Sequence, residues 1–146
     1  MLDRDQQIHD VLIKAGEDVQ QGMWCMGSWF AQDEDSINND EGLTWAPEEI
    51  FDLNMSVETL QKLHRCAEGS ILLATRIAGL DLKVYEKAVE AVDGHLRTIC
   101  DDCELTSRYG DVVLHEHNDM HMKGMTPFDA GQHLSEIFRD AAHRML

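Results

Sequence analysis

A chain of 146 residues that is 43% hydrophobic is long enough to form one domain with a buried core. Its formal charge of −16 excludes binding to nucleic acid through the phosphates, because like charges repel and no basic cluster is present to displace counterions. Such a charge favours basic proteins and cations as partners.

The amino terminus predicts a cytoplasmic protein. "MLDRDQQIHD" alternates charged and polar residues where a secretory signal would be apolar. The longest uncharged run, residues 19–32, is too short and too polar to span a bilayer. The four cysteines, at positions 25, 66, 100 and 103, are therefore expected to be thiols or metal ligands rather than disulfides.

The first predicted element is a helix over residues 4–21. Asp3 and Gln6 resemble a capping box, in which each side chain satisfies an unpaired backbone amide, and Gly22 supplies a stop. Apolar residues recur at helical spacing along this stretch. They are Ile8, Val11, Leu12, Ala15 and Val19.

An acidic loop follows. "MWCMGSWFA", residues 23–31, predicts a short helix or a buried turn. Residues 32–55 are rich in turn formers and lack a period, although Pro47 could begin one helical turn. We call residues 32–55 the acidic segment.

Three more helices are predicted after it. The second runs from Val57, capped by Ser56, to Gly79, with a break near Gly69. Its apolar stripe is Leu60, Leu63, Ala67, Ile71, Ala74 and Ala78. The third is capped by Asp81 and ends near residue 99, and its apolar face is Val84, Ala88, Val92, Leu96 and Ile99.

The last helix has the clearest start signal, with Thr126 at the cap, Pro127 at the first helical position and Asp129 near the positive helix end. Its predicted core stripe is Leu134, Ile137, Phe138, Ala141 and Met145. Residues 111–117 could form a short hairpin strand before it. The fold class predicted is a single all-α domain over residues 1–146, a bundle of about four main helices with a long acidic loop.

The charge is concentrated in one block. Residues 15–61 hold eleven carboxylates and no Lys or Arg, whereas residues 62–146 carry fourteen acids against ten bases. Three interpretations are open: a solvated loop, an acidic docking face with a charge like that of nucleic acid, or adaptation to high salt. The last ranks lowest, because the second half of the chain is nearly balanced. The candidate docking residues are Asp33, Glu34, Asp35, Asp40, Glu41 and Trp45.

Trp45 lies among these carboxylates. An aromatic ring in such a setting could anchor an interface, and it could equally fold back and close the core.

Four residues have ligand spacing close to that of a zinc finger. Cys100, Cys103, His117 and His121 follow the pattern C-x2-C-x13-H-x3-H. The expected Phe is missing, acids surround the cysteines, and the Thr126 cap separates His121 from the last helix. The favoured interpretation is a helix end, a surface hairpin and scattered histidines, so no cofactor is expected, and zinc is the alternative.

Cys25 and Cys66 are expected to be buried packing residues rather than nucleophiles. His64 lies two residues from Cys66, and two such positions on a helix do not face each other. Replacement of either cysteine by serine is expected to destabilise the fold through an unsatisfied hydroxyl. No catalytic residue is proposed, because no phosphate loop, serine elbow or metalloprotease motif is present.

Short motifs in the chain resemble a family of short uncharacterised proteins from actinobacteria and their phages. The motifs are "WCMG" at residues 24–27, "RCAEGSI" at 65–71, "ND" at 118–119 before Thr126, and "FRDAA" at 138–142. The resemblance implies helix-packing roles for Cys25 and Cys66 and a turn-stabilising role for Asn118 and Asp119. It supplies no catalytic role, and the acidic segment and the Cys100–Cys103 pair lie outside its pattern.

The sequence therefore predicts an interaction protein more strongly than an enzyme. The phage setting of the resembling family favours a small acidic protein that binds a host protein with a basic surface, in the host cytoplasm. Direct contact with nucleic acid or with a membrane is not expected. The alternative is a zinc-binding module or metal-dependent enzyme built on the four Cys and His residues. The sequence does not determine the oligomeric state.

Overall fold

The computed structural model describes residues 3–21, 24, 30–31, 56–62, 64–99, 122 and 124–145. Four main helices make up most of these residues, which confirms the predicted all-α bundle. The predicted hairpin strand at residues 111–117 and the whole acidic segment lie outside the described ranges.

Helix α1 spans Arg4–Val19 and begins as predicted. The Oδ1 of Asp3 accepts a hydrogen bond from the Gln6 backbone N–H at 2.9 Å. The reciprocal half of the capping box does not form, because the Gln6 side chain donates from Nε2 to Asp10 Oδ1 at 2.9 Å instead. The apolar stripe predicted for this helix is buried throughout.

The predicted second helix is two helices. Helix α2 spans Val57–Gln61 and helix α3 spans Ala67–Ile77, with the two-residue strand β2, His64–Arg65, between them. The break predicted at Gly69 is wrong, because Gly69 lies in the first turn of α3 and its N–H donates to Cys66 Sγ at 3.3 Å. Cys66 has extended backbone angles and acts as the N-cap, so the helix restarts directly after β2.

The end of α3 follows the prediction at Gly79. Ala78 is the last capping residue, and Gly79 adopts a φ of 71°. The Leu80 N–H donates to the Thr75 carbonyl and the Gly79 N–H to the Arg76 carbonyl, both at 3.1 Å. This is the Schellman arrangement, which places glycine at the left-handed position because a Cβ there is unfavourable.

Helices α4, Leu82–Ile99, and α5, Pro127–His143, begin at the predicted caps. Asp81 Oδ1 accepts the Val84 N–H at 3.2 Å, and Thr126 Oγ1 accepts the Asp129 N–H at 3.1 Å. The predicted stripes of both helices are buried where described, except that Met145 is half-buried.

Helix α3 occupies the centre of the core. Every residue from Ala67 to Thr75 is buried, whereas the predicted single stripe included Ala78, which is exposed. Helix α1 packs against α3 and α5, and α4 packs against both α3 and α5. The described helices share one hydrophobic core.

Helices α1 and α5 cross closely. A Cβ added at Gly131 of α5 would overlap the Val19 carbonyl oxygen of α1, and one added at Gly16 would contact Ser135 at 3.5 Å. Glycine at position 131 therefore allows the two backbones to meet.

A second two-residue strand, β1, spans Phe30–Ala31. It pairs antiparallel with β2, so that Phe30 is opposite Arg65 and Ala31 is opposite His64. Trp24 forms an isolated parallel bridge to Arg65. In the part of the chain that the structure describes, no helix combines the length and the apolar character needed to cross a membrane.

Candidate functional site

The residues predicted to form functional sites lie outside the described residues. This holds for the docking candidates Asp33, Glu34, Asp35, Asp40, Glu41 and Trp45. It also holds for the zinc candidates Cys100, Cys103, His117 and His121, and for Cys25. Among the residues that are described, no three His, Cys, Asp or Glu side chains are grouped so that they could hold a metal ion.

A buried ion pair joins α1 to β2. The Arg65 side chain is 3% exposed and the Asp18 side chain is 14% exposed. Arg65 Nε donates to Asp18 Oδ2 at 2.7 Å, and Nη2 donates to Oδ1 at 3.0 Å. The two parallel bonds form the bidentate arrangement that suits a guanidinium and a carboxylate.

Arg65 also binds the carboxyl-terminal end of α2. Its Nη1 donates to the Gln61 carbonyl at 3.3 Å and lies 3.5 Å from the Leu60 carbonyl. These carbonyls lack a helical partner because the helix ends there, and the guanidinium supplies one. We call Arg65, Asp18 and these two carbonyls the Arg65 cluster.

The Arg65 cluster changes the interpretation of the acidic block. The sequence suggested that residues 15–61 contain no compensating base. Asp18 belongs to that block, yet it is paired with Arg65 from beyond its end. The Asp18 carboxylate is therefore balanced by a buried guanidinium, whereas Glu17 and Glu58 of the same block are exposed.

The Arg65 cluster also fixes both flanks of the acidic segment. Just before the segment, β1 pairs with the backbone at His64 and Arg65. Just after it, α2 places its last carbonyls against the Arg65 side chain. The backbone at Trp24, which is fully buried, also meets this place, since it bridges to Arg65.

Cys66 is buried, as predicted, but its role is to cap a helix rather than only to pack. Serine is a preferred N-cap residue, and its hydroxyl could accept the same hydrogen bond from Gly69. We therefore expect serine at position 66 to keep an accepted hydrogen bond rather than to leave its hydroxyl unsatisfied.

A buried carboxylate links α3 to α4. Glu68 is 5% exposed, and its Oε2 accepts a hydrogen bond from the Tyr85 hydroxyl at 3.2 Å. With Arg65, this pair makes the start of α3 the most polar part of the described core. The Arg65–Asp18 and Tyr85–Glu68 contacts each join two elements, so these groups hold the bundle together.

His95 on α4 is a different kind of buried group. It is 7% exposed, and neither ring nitrogen has a hydrogen-bond partner among the described residues. Burial lowers the pKa of this imidazole, the nearby Arg144 cation lowers it further, and Asp140 acts in the opposite direction. His95 is therefore held neutral at the packing interface of α4 and α5.

A groove runs along the amino-terminal half of α1. One cavity of about 490 Å³ lies between α1 and the end of α3, and its lining is Gln7, Asp10, Val11, Lys14, Ala74, Ile77, Ala78 and Leu80. A second cavity of about 490 Å³ lies next to the first, since Gln7 and Leu80 line both. Its lining adds Asp3, Arg4, Gly79, Asp81 and Val84. We call the two together the α1–α3 groove.

The sequence did not reveal the Arg65 cluster or the groove. Arg65 and Asp18 are 47 residues apart, and a single sequence contains no signal that joins them. One local hint was present: Arg65 lies directly before the core run "CAEGSILLAT", where an arginine needs a partner to be buried.

The chain matches no protein-family model, no curated protein and no solved structure.

Proposed function

We propose that this chain is a small acidic interaction protein that binds a host protein with a basic surface and modulates it. This is the phage-type role that the motif resemblance implies, acting in the host cytoplasm. The observation that carries the proposal is the distribution of charge, since residues 15–61 contain eleven acids and no base. Concentrated charge raises the local potential and speeds the encounter with an oppositely charged partner.

The described structure supports this proposal through the attachment of the acidic segment. Its preceding strand and its following helix are both joined to Arg65, and Arg65 is anchored to α1. A segment whose two ends are fixed to a packed bundle loses less freedom on binding than a free tail does. We infer that the segment offers its carboxylates and Trp45 as one docking face.

The test neutralises the docking carboxylates. Asp33, Glu34, Asp35, Asp40 and Glu41 are changed to the matching amides, and capture of host proteins is measured at several salt concentrations. We expect the native chain to retain a defined partner that is released as salt rises. The variant is expected to lose that partner while its melting temperature stays equal or increases, because repulsion has been removed.

A matched control removes the same charge elsewhere. Exposed acids on the helices, changed to amides together, give the same net charge in a different place; they are Asp5, Glu86, Glu90, Glu136 and Asp140. We expect this control to keep the partner. If both variants lose it equally, only net charge matters; if neither does, the acidic segment is a solvated loop.

Trp45→Ala tests whether the ring anchors the interface. We expect weaker capture with an unchanged melting temperature. A large fall in melting temperature would instead show that the ring closes the core.

The spacing of Cys100, Cys103, His117 and His121 carries the second candidate, a zinc-binding module. Native mass spectrometry of purified protein separates the two, because a site built from these residues would retain about one Zn²⁺ per chain and lose it in Cys100→Ser. We expect metal-free protein whose melting temperature does not change in chelator.

A further inference from the structure

Five apolar residues line the α1–α3 groove. They are Val11, Ala74, Ile77, Ala78 and Leu80, of which Val11 and Ala74 are buried, Leu80 is half-buried, and Ile77 and Ala78 are exposed. Ile77 is 38% exposed, and Phe128 is the other exposed large hydrophobic residue in the described part of the chain. An exposed isoleucine in the lining of a groove is apolar surface that a partner could bury.

The groove has the length of a short helix. The α1 residues that line it run from Asp3 to Lys14, which corresponds to about 16 Å along the helix axis, or three turns. An elongated, open groove beside a helix is the setting in which an amphipathic helix docks its apolar face.

The same face of α1 leads to the acidic segment. Gln7, Val11 and Lys14 are spaced by four and three residues, and Asp18 continues this spacing by four. Residues with that spacing lie along one face of a helix. Asp18 binds Arg65, whose backbone and side chain hold both flanks of the acidic segment. The groove and the base of that segment therefore lie along one helix face.

The charges around the groove favour a basic occupant. Its lining contains three carboxylates, from Asp3, Asp10 and Asp81, against two cations, from Arg4 and Lys14. The whole chain adds a formal charge of −16. An approaching segment that carries Lys or Arg beside its apolar stripe is attracted, and an acidic segment is repelled.

We propose that the α1–α3 groove binds an amphipathic helix of the partner protein, with apolar residues toward Ile77 and basic residues on its flanks. The identity of the partner rests on the proposed function, but binding of such a helix does not. The occupant is a protein helix of about three turns.

The probe is a fluorescent synthetic helix of about four turns, with Leu at helical spacing and Lys on both flanks. Binding to the full chain is measured by anisotropy. We expect saturable binding that Ile77→Asp weakens by about tenfold or more, since a charge would be buried against the Leu stripe. The matched control is Phe128→Asp, which changes an exposed aromatic residue outside the groove and is expected to leave affinity unchanged.

A second variant guards against a folding defect in the first. Ala78→Trp fills the groove from an exposed position and is expected to weaken the probe similarly, with helical content and melting temperature retained. Equal binding to Ile77→Asp and to the native chain would overturn the proposal. So would equal affinity for a probe in which Glu replaces Lys.

Binding of either of two other occupants in the groove would also overturn the proposal of a partner helix. Self-association of the chain that Ile77→Asp abolishes would assign the groove to a second copy. Stoichiometric binding of decanoate without binding of the peptide would assign it to a small apolar ligand.

The probe-binding test and the partner-capture test of the proposed function can fail independently of each other. If neutralising the acidic segment leaves partner capture intact while the probe still depends on Ile77, the docking face is wrong and the groove stands. If neutralisation abolishes capture but Ile77→Asp leaves probe binding unchanged, the proposed function stands and the groove assignment is wrong.

Discussion

Arg65 and His95 are both buried and polar, but their surroundings differ. Arg65 donates two bonds to the Asp18 carboxylate and reaches two carbonyls at the end of α2. His95 makes no ring hydrogen bond among the described residues, although it lies near Asp140 and Arg144. Burial is tolerated in the first case because the charge is matched, and in the second because the imidazole stays neutral.

The buried polar groups are therefore of two kinds: Arg65 is hydrogen-bonded, and the ring nitrogens of His95 are not, among the described residues. Removing a hydrogen-bonded group leaves its partner buried without a hydrogen bond, which lowers the free energy of unfolding. Removing a buried group that has no hydrogen bond removes a desolvation penalty, which raises the free energy of unfolding. Substitutions at these positions should therefore change the free energy of unfolding in opposite directions.

Arg65→Leu is expected to have the largest effect, a loss of roughly 3–5 kcal/mol in the free energy of unfolding. Asp18 would remain mostly buried with its carboxylate deprived of this partner. Urea denaturation measures the change. Adding Asp18→Leu to this variant should restore part of the loss. A surface control, Lys87→Ala, breaks the exposed Lys87–Glu90 pair and should cost no more than about 0.5 kcal/mol.

His95→Leu is expected to raise the free energy of unfolding by about 1 kcal/mol, because the two buried ring nitrogens are replaced by apolar atoms of similar volume. Thermal denaturation at pH 8 measures it. Exposed His143→Leu is the matched control and should have little effect. A clear loss of stability in His95→Leu would mean that the imidazole makes a bond that matters.

Cys66 provides an intermediate case, a helix cap whose Sγ accepts a weak hydrogen bond from the Gly69 N–H. Cys66→Ala is expected to cost about 1 kcal/mol because the Gly69 amide loses its acceptor. Cys66→Ser should match or exceed the native free energy of unfolding, since serine is the better cap. If serine were as harmful as alanine, the packing of sulfur rather than capping would determine the effect.

The smallest effect concerns pH. The pKa of His95 and that of His133 are both lowered chiefly by burial, so each side chain binds a proton less readily in the folded than in the unfolded state. The stability that the two neutral histidines allow is therefore fully present above the ordinary histidine pKa of about 6.5. It declines as the pH falls through their lower pKa values in the folded state. When the free energy of unfolding is measured by urea denaturation between pH 7 and 5, it should decline less in His95→Leu than in the native chain. The decline that remains is due to His133. An unchanged slope would contradict this.

Local features of the fold could be predicted from the sequence. The caps at Asp3, Asp81 and Thr126, and the glycine stop at Gly79, depend on residues three to five positions apart, which a single sequence displays. The break in the second helix was misplaced, because it depends on β2 pairing with β1, more than 30 residues earlier.

The candidate site was harder to predict for a similar reason. The groove exists only where the start of α1 meets the end of α3, and no residue that lines it is unusual by itself. The burial of every α3 residue from Ala67 to Thr75 had a signal in the sequence that the prediction of a single apolar stripe did not use. Its run of small and apolar residues, "AEGSILLAT", has almost no polar face, which is typical of a central helix.

The pairing of Ala31 with His64 also has a consequence for how the length of this chain can change. The strand before residues 32–55 and the helix after them are both joined to β2, so the cost of closing the intervening chain is met by β1–β2 pairing and by Arg65. That cost grows by only about 0.6 kcal/mol for each doubling of the intervening length. The position between β1 and α2 is therefore one where residues, or a whole inserted domain, can be gained or lost while the contacts among the four main helices are kept.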